Sequence, residues 1–249
     1  MIRAGAALAP LCALLLGASA GSAELPVAGI TIGSSIGGVA RALGVPVSVA
    51  SDDSGHRFAF NGGVTAYADD DGFVLAVDAR TGNPRIDVDG TVRAFPIGSY
   101  STARADAELA DVAEFALPGL RSYRLAPRRD LVLGFDGPSN RLVRVTYGEP
   151  GQLARLGLLP GDDATRAVAY RAPVLRTSAA AAPGPGGGAA VYRVAIDRGG
   201  IVRGVDVVVG SGSPAGDAVR VRLLAAERYA PATLDGRPIA ATVFVELPR

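Results

Sequence analysis

Apolar and polar positions alternate with period two over much of this chain, and turns rich in glycine and aspartate interrupt the alternation. In the first half the runs are His56–Phe60, Val64–Ala68 and Phe73–Val77, with Asp70-Asp71-Gly72 turning between the last two. Ahead of them, after Ile30-Thr31-Ile32-Gly33-Ser34, Val39, Ala40 and Leu43 recur at helical spacing. Ser34 or Ser35 supplies the N-cap, and Gly44 and Pro46 stop the helix. A second set begins at Pro96-Ile97-Gly98-Ser99. It predicts a helix over Ala103–Phe115, with Leu109, Val112 and Ala113 on one face. Strands Ser122–Leu125, Asp130–Phe135 and Arg141–Tyr147 follow, the last two joined by Gly137-Pro138-Ser139-Asn140. Both sets read short strand, helix, three-strand meander, which is an internal repeat.

The last third changes order. Strands Tyr192–Ile196 and Ile201–Val209 meet at Arg198-Gly199-Gly200, a helix runs from Gly216 to Arg228, and Asp235-Gly236 turns into a final strand, Pro238–Leu247. In that strand Ile239, Ala241, Val243 and Val245 alternate with Ala240, Thr242, Phe244 and Glu246. Between the regions, residues 176–190 carry no large apolar side chain and predict a linker of Ala, Gly and Pro. The expected organisation is a signal peptide over 1–23, helix-plus-meander units over 24–90 and 91–175, the linker, and a C-terminal domain over 191–249. The expected fold class is α+β: two helix-plus-antiparallel-meander units followed by a ββαβ domain.

Composition narrows the chemistry. Of 249 residues 49% are hydrophobic, enough for a packed core, and the net charge of +1 gives no case for nucleic acid. Every basic residue is arginine. Cys12 is the sole cysteine and lies in the N-terminal apolar run, so a chain cleaved after that run holds no thiol for disulfide, metal or nucleophile. His56 is the sole histidine, so any Ser-His-Asp triad or histidine-bearing metal site must use it. Its setting, Asp52-Asp53-Ser54-Gly55-His56, reads as a solvated turn.

The N-terminus has the form of an export signal. Arg3 precedes an apolar stretch from Ala4 to Leu16, and small residues at Ala18-Ser19-Ala20 and Gly21-Ser22-Ala23 suit cleavage, with Glu24 as the new first residue. The competing reading is an uncleaved inner-membrane anchor.

Other motifs reduce to turns. Asp69-Asp70-Asp71-Gly72 lacks the alternating ligands and closing glutamate of a calcium loop. Gly184, Gly186, Gly187 and Gly188 lack the Lys-Ser or Lys-Thr of a phosphate loop. Gly33, Gly37 and Gly38 lead into too short a helix for a dinucleotide fold. Gly157-Leu158-Leu159-Pro160-Gly161-Asp162 has the form of a PDZ-domain turn, without room for the strands that would follow. The expectation is no catalytic residue, no metal and no cofactor.

Asp197-Arg198-Gly199-Gly200-Ile201-Val202, Ser211-Gly212-Ser213-Pro214, Asp217, Arg228-Tyr229-Ala230-Pro231-Ala232 and Asp235-Gly236-Arg237-Pro238 stand in one order and spacing. In these residues the last sixty positions resemble the C-terminal domain of the TonB family. Gly216 replaces a usual leucine and Arg220 a usual alanine, and the upstream Tyr-Pro element and the long Pro-Lys and Pro-Glu spacer are missing. More weakly, the first helix-plus-meander unit is similar to small envelope modules of the BamE type, an interaction fold.

The TonB resemblance implies a TonB-like ββαβ domain and a non-enzymatic periplasmic protein that binds partner peptides by β-strand addition. Its role would be energy transduction and transport across the outer membrane. The last strand would recruit an outer-membrane transporter segment or another envelope protein through Ile239, Ala241, Val243 and Val245, with Tyr229 and Pro231 fixing the approach. Three alternatives stand beside this: an envelope scaffold with a generic docking domain and no transport role, an edge that closes a self-contained fold or a homodimer, and a hydrolase in the N-terminal half that would rely on His56 or on paired carboxylates.

Overall fold

Two serines open the paired N-terminal helices. In the computed structural model, which describes residues 27–88, 91–109, 112–117, 120–125, 131–158, 170–178 and 188–248, Ser35 Oγ accepts the Gly38 N–H at 3.2 Å and starts α1 (Ile36–Leu43). Strands β1 (Ser48–Asp52), β2 (Gly55–Phe60), β3 (Val64–Ala68) and β4 (Val74–Ala79) follow as an antiparallel meander. A separate hairpin, β5 (Arg85–Val88) and β6 (Thr91–Ala94), leads to α2 (Thr102–Glu108), capped by Ser101 Oγ on the Arg104 N–H at 3.3 Å. Then come β7 (Ala113–Leu117), β8 (Leu120–Leu125), β9 (Leu131–Asp136) and β10 (Arg141–Gly148).

Backbone bonds give the repeat its physical content. Gly33 N–H donates to the Val74 carbonyl and Gly98 N–H to the Leu142 carbonyl, each at 2.7 Å. Val74 and Leu142 return bonds to Ser34 and Tyr100. The two meanders join through β4 and β10, giving one sheet in the order β1-β2-β3-β4-β10-β9-β8-β7. Asp78 lies buried at this seam, opposite Thr146, whose hydroxyl donates to it at 2.7 Å, while the Arg144 guanidinium closes on the same carboxylate. One sheet face packs under α1 and α2 on Phe58, Val77, Leu133, Phe135 and Val145; the other carries α3 (Pro150–Arg155) on Tyr67, Ala76 and Val132.

Two sequence expectations need correction here. Each meander has four strands rather than three, β1 and β7 being additional. The second helix ends at Glu108, not Phe115: Leu109 is extended and buried, and 113–117 pair with β8. The helical spacing of Leu109, Val112 and Ala113 yields to a sheet edge that supplies backbone partners.

Beyond α3, β11 (Tyr170–Arg171) and β12 (Val174–Thr177) are followed by β13 (Ala190–Ile196), β14 (Val202–Val209), α4 (Pro214–Ala226), β15 (Arg228–Ala230), β16 (Ala232–Leu234), β17 (Arg237–Ile239) and β18 (Ala241–Leu247). The expected linker therefore begins inside β12, which pairs with β15, and ends inside β13. The expected final strand is two strands: β17 pairs with β16, and β18 pairs with β13. A three-stranded sheet in the order β14-β13-β18 results. Tyr192, Val194, Ile196 and Val243 pack with Leu224 of α4, whereas Val191 and Phe244 join the core that the two N-terminal units share. The chain is thus α+β, with helices beside antiparallel sheets. The expected signal segment over 1–23, residues 159–169 and residues 179–187 lie outside the described residues.

Candidate partner-binding edge

The turn that joins β13 to β14 is tied by one aspartate. Asp197 Oδ1 accepts the N–H groups of Gly199 at 2.8 Å and Ile201 at 3.0 Å, and Oδ2 meets Arg203 at 2.7 Å. The Ile201 amide first, with the Gly199 amide and Arg203 in support, holds the Asp197 carboxyl below the usual range against an opposing effect of burial. Gly200 has φ +80° and lies directly under the Tyr229 carbonyl, where a side chain has no room.

The helix is anchored by charge. Ser213 Oγ accepts the Gly216 N–H, and Asp217 in the first turn accepts from the Tyr192 hydroxyl at 2.6 Å and from the Ser211 N–H. Burial pushes the Asp217 carboxyl up, but these donors and the Arg220 charge outweigh it and the net shift is downward. Burial, then the bond to Asp217, pushes the Tyr192 phenol up to about 12. Arg220, where the TonB-type pattern has alanine, is buried: its guanidinium donates to the Gly188 carbonyl at 3.1 Å and the Pro248 carbonyl at 3.2 Å. It fastens the start of β13 to the end of β18 beneath the helix.

The residues expected to meet a partner have unequal placements. Tyr229 is buried in β15, with its hydroxyl donating to the buried Glu227 carboxylate at 2.7 Å, so it does not present itself to a partner. Pro231 packs beside Gly200. Ile239 belongs to β17, apart from the other three. Ala241, Val243 and Val245 share β18, but Val243 and Val245 turn their side chains into the core under α4. What β18 has to offer is backbone.

That backbone is engaged by the first unit. The Phe244 N–H donates to Ser51 Oγ of β1 at 2.9 Å. Ser51 Oγ stands 2.9 Å from His56 Nδ1, and His56 Nε2 stands 2.8 Å from Asp70 Oδ1. A neutral His56 protonated on Nε2 satisfies every group in this line, since the Ser51 hydroxyl then donates to Nδ1. The Phe244 ring stands edge-on to His56 at 4.8 Å and to Phe58 at 5.0 Å. His56 is therefore a buried strand residue, 4% exposed, and not a solvated turn residue. The hydrogen bond from His56 lowers the Asp70 carboxyl, against an opposing effect of burial. Asp69 closes the turn by accepting from Asp71 and Phe73, and Asp71 meets Arg193 of β13 at 3.2 Å. Three adjacent aspartates thus have three separate partners.

The Ser51-His56-Asp70 order is that of a hydrolase triad, but the serine oxygen is spent on the Phe244 amide and lies under β18. Its arrangement suits fastening. The sequence marks Gly72 only as a turn residue and Phe244 only as a position in the final strand, and it does not single out Ser51 or Phe58. The one available signal was that His56 and Phe58 fall two apart in an alternating run and so share a face.

No protein-family model matches the chain, and no curated protein does. Among solved structures it is similar to a cysteine-rich secretory protein from Staphylococcus aureus, at 13% identity and a TM-score of 0.35, over 53% of this chain and 49% of that one. A likeness that slight carries no argument for fold or function. Among the described residues no group of three or more His, Cys, Asp or Glu is placed to hold a metal, and no helix is long and apolar enough to cross a membrane.

Proposed function

We propose that this is a non-enzymatic binding protein of the bacterial cell envelope, with a TonB-like C-terminal domain. It takes an extended segment of a protein partner as an added strand along β18. The observation that carries the reading is the sheet order β14-β13-β18, which leaves β18 at an edge, behind a helix entered through Ser211-Gly212-Ser213. In this reading the partner is a segment of an outer-membrane transporter, and the role is energy transduction and transport across the outer membrane.

A second reading, an envelope scaffold with a generic docking domain, draws on a specific observation. Val191 and Phe244 belong to the core that the two N-terminal units share, so the C-terminal sheet is seated on the N-terminal region.

The test is a photo-reactive phenylalanine analogue at Glu246, with the protein made in a Gram-negative host. Cross-links to an outer-membrane transporter support strand addition in transport, and cross-links confined to other envelope proteins favour the scaffold. Cross-links only within the chain would sink both. Intact mass and membrane fractionation complete the test: a soluble species beginning at Glu24 rules out direct energy transduction, and a full-length membrane species supports it.

A further inference from the structure

We infer that the first unit acts as an internal lid on β18, so that a partner strand must displace β1 from Phe244 before it adds. The inference rests on the strand-addition reading and concerns the regulation of that same edge.

Phe244 gives its N–H to Ser51 and not to β13, so the backbone of residue 244 faces the open side of the sheet. With a period of two, Thr242 and Glu246 face the same side. These are the groups an added strand would need. The central one is already bonded to a side chain that cannot turn away easily, because Ser51 is held in line by His56 and His56 by Asp70.

The Phe244 side chain completes the lid. Its ring rests edge-on against His56 and Phe58 and runs out over Gly72, where a Cβ would stand 3.4 Å from the ring tip. Gly72 has φ +83°, so the turn below the ring both needs glycine and leaves space for the ring. Arg193, opposite Phe244 in the β13–β18 register, reaches Asp71 in that turn. Amide, ring and neighbouring charge are therefore all held by one unit, across β1 and the β3–β4 turn.

The lid also specifies the incoming segment. It must bring a backbone carbonyl to replace Ser51 Oγ and an apolar or aromatic side chain to cover the Phe244 ring. A polar segment would leave that ring in water.

The test uses the full chain with Ser51→Ala, and independently Gly72→Ala, which presses on the ring without altering β18. Amide exchange at Phe244, resolved by NMR, should accelerate on the order of 10-fold or more in Ser51→Ala. Exchange in β13 should stay near wild type, and cross-linking from Glu246 to the same partner should rise in both variants. An unchanged Phe244 amide overturns the lid, as does acceleration of Phe244 and β13 together. Accelerated exchange with equal cross-linking overturns the gate and leaves strand addition standing. Cross-linking to no partner in any form removes strand addition, and the gate with it.

Discussion

Tyr229 donates its backbone N–H to the Gly200 carbonyl at 3.0 Å, and its own carbonyl oxygen occupies the space that a Cβ on Gly200 would need. The β13–β14 turn and the strand leaving α4 are in direct contact there, so the Asp-x-x-Gly turn and the Arg-Tyr-x-Pro segment are two sides of one joint. Gly200→Ala adds a left-handed penalty of about 1–2 kcal/mol to that clash. It should lower stability by more than that amount in chemical denaturation. Gly204→Ala is the control, since an added Cβ there meets nothing within 4 Å. It should be neutral or mildly stabilising.

Phe244→Ala empties the place between His56 and Phe58. Truncating a buried phenylalanine costs about 3–5 kcal/mol, and the lost edge contacts belong to that figure. Thermal unfolding should show the loss. Phe244 joins two sheets, so probes in the first unit and in β13 should both report it. An effect confined to the C-terminal sheet would argue against that coupling.

Arg220→Met keeps most of the volume and removes the donors to Gly188 and Pro248. Gly188 is half-buried and Pro248 exposed, so water replaces part of the lost bonding, and each bond removed costs about 0.5–1.5 kcal/mol. The expected outcome is lower stability together with faster amide exchange at the ends of β13 and β18, while their centres are affected less. Uniform acceleration along both strands would mean that Arg220 acts through general packing.

The pH dependence has a definite sign on both sides. Asp70, Asp197 and Asp217 are lowered in the fold, so their stabilisation is present above the unfolded carboxylate value of about 3.9 and is lost as pH falls through the lower folded values. Tyr100 and Tyr192 are raised to about 12, chiefly by burial. Their contribution is present below the ordinary phenol value of about 10 and is lost as pH rises towards 12. Denaturation curves across pH should show a plateau between these limits. Asp217→Asn should flatten the acid limb, and an unchanged limb would remove Asp217 from the account.

Local chemistry was legible wherever the next few residues decide it. The serine caps, the glycine turns, the period-two runs and the repeated Ile-Gly-Ser opening determined α1, most strands of both meanders and the β13–β14 hairpin, because each depends on contacts a few positions apart. The sequence also placed β18 as a strand beside apolar neighbours, but not its split from β17 at Ala240. What only the tertiary structure decided was partnership at long range: β4 against β10, residues 113–117 as a strand, and Phe244 against Ser51, 193 positions away. His56 shows the physical reason. A histidine after Asp-Asp-Ser-Gly reads as a solvated turn until a strand from the far end of the chain covers it, and its burial is a property of that covering strand rather than of its own neighbours.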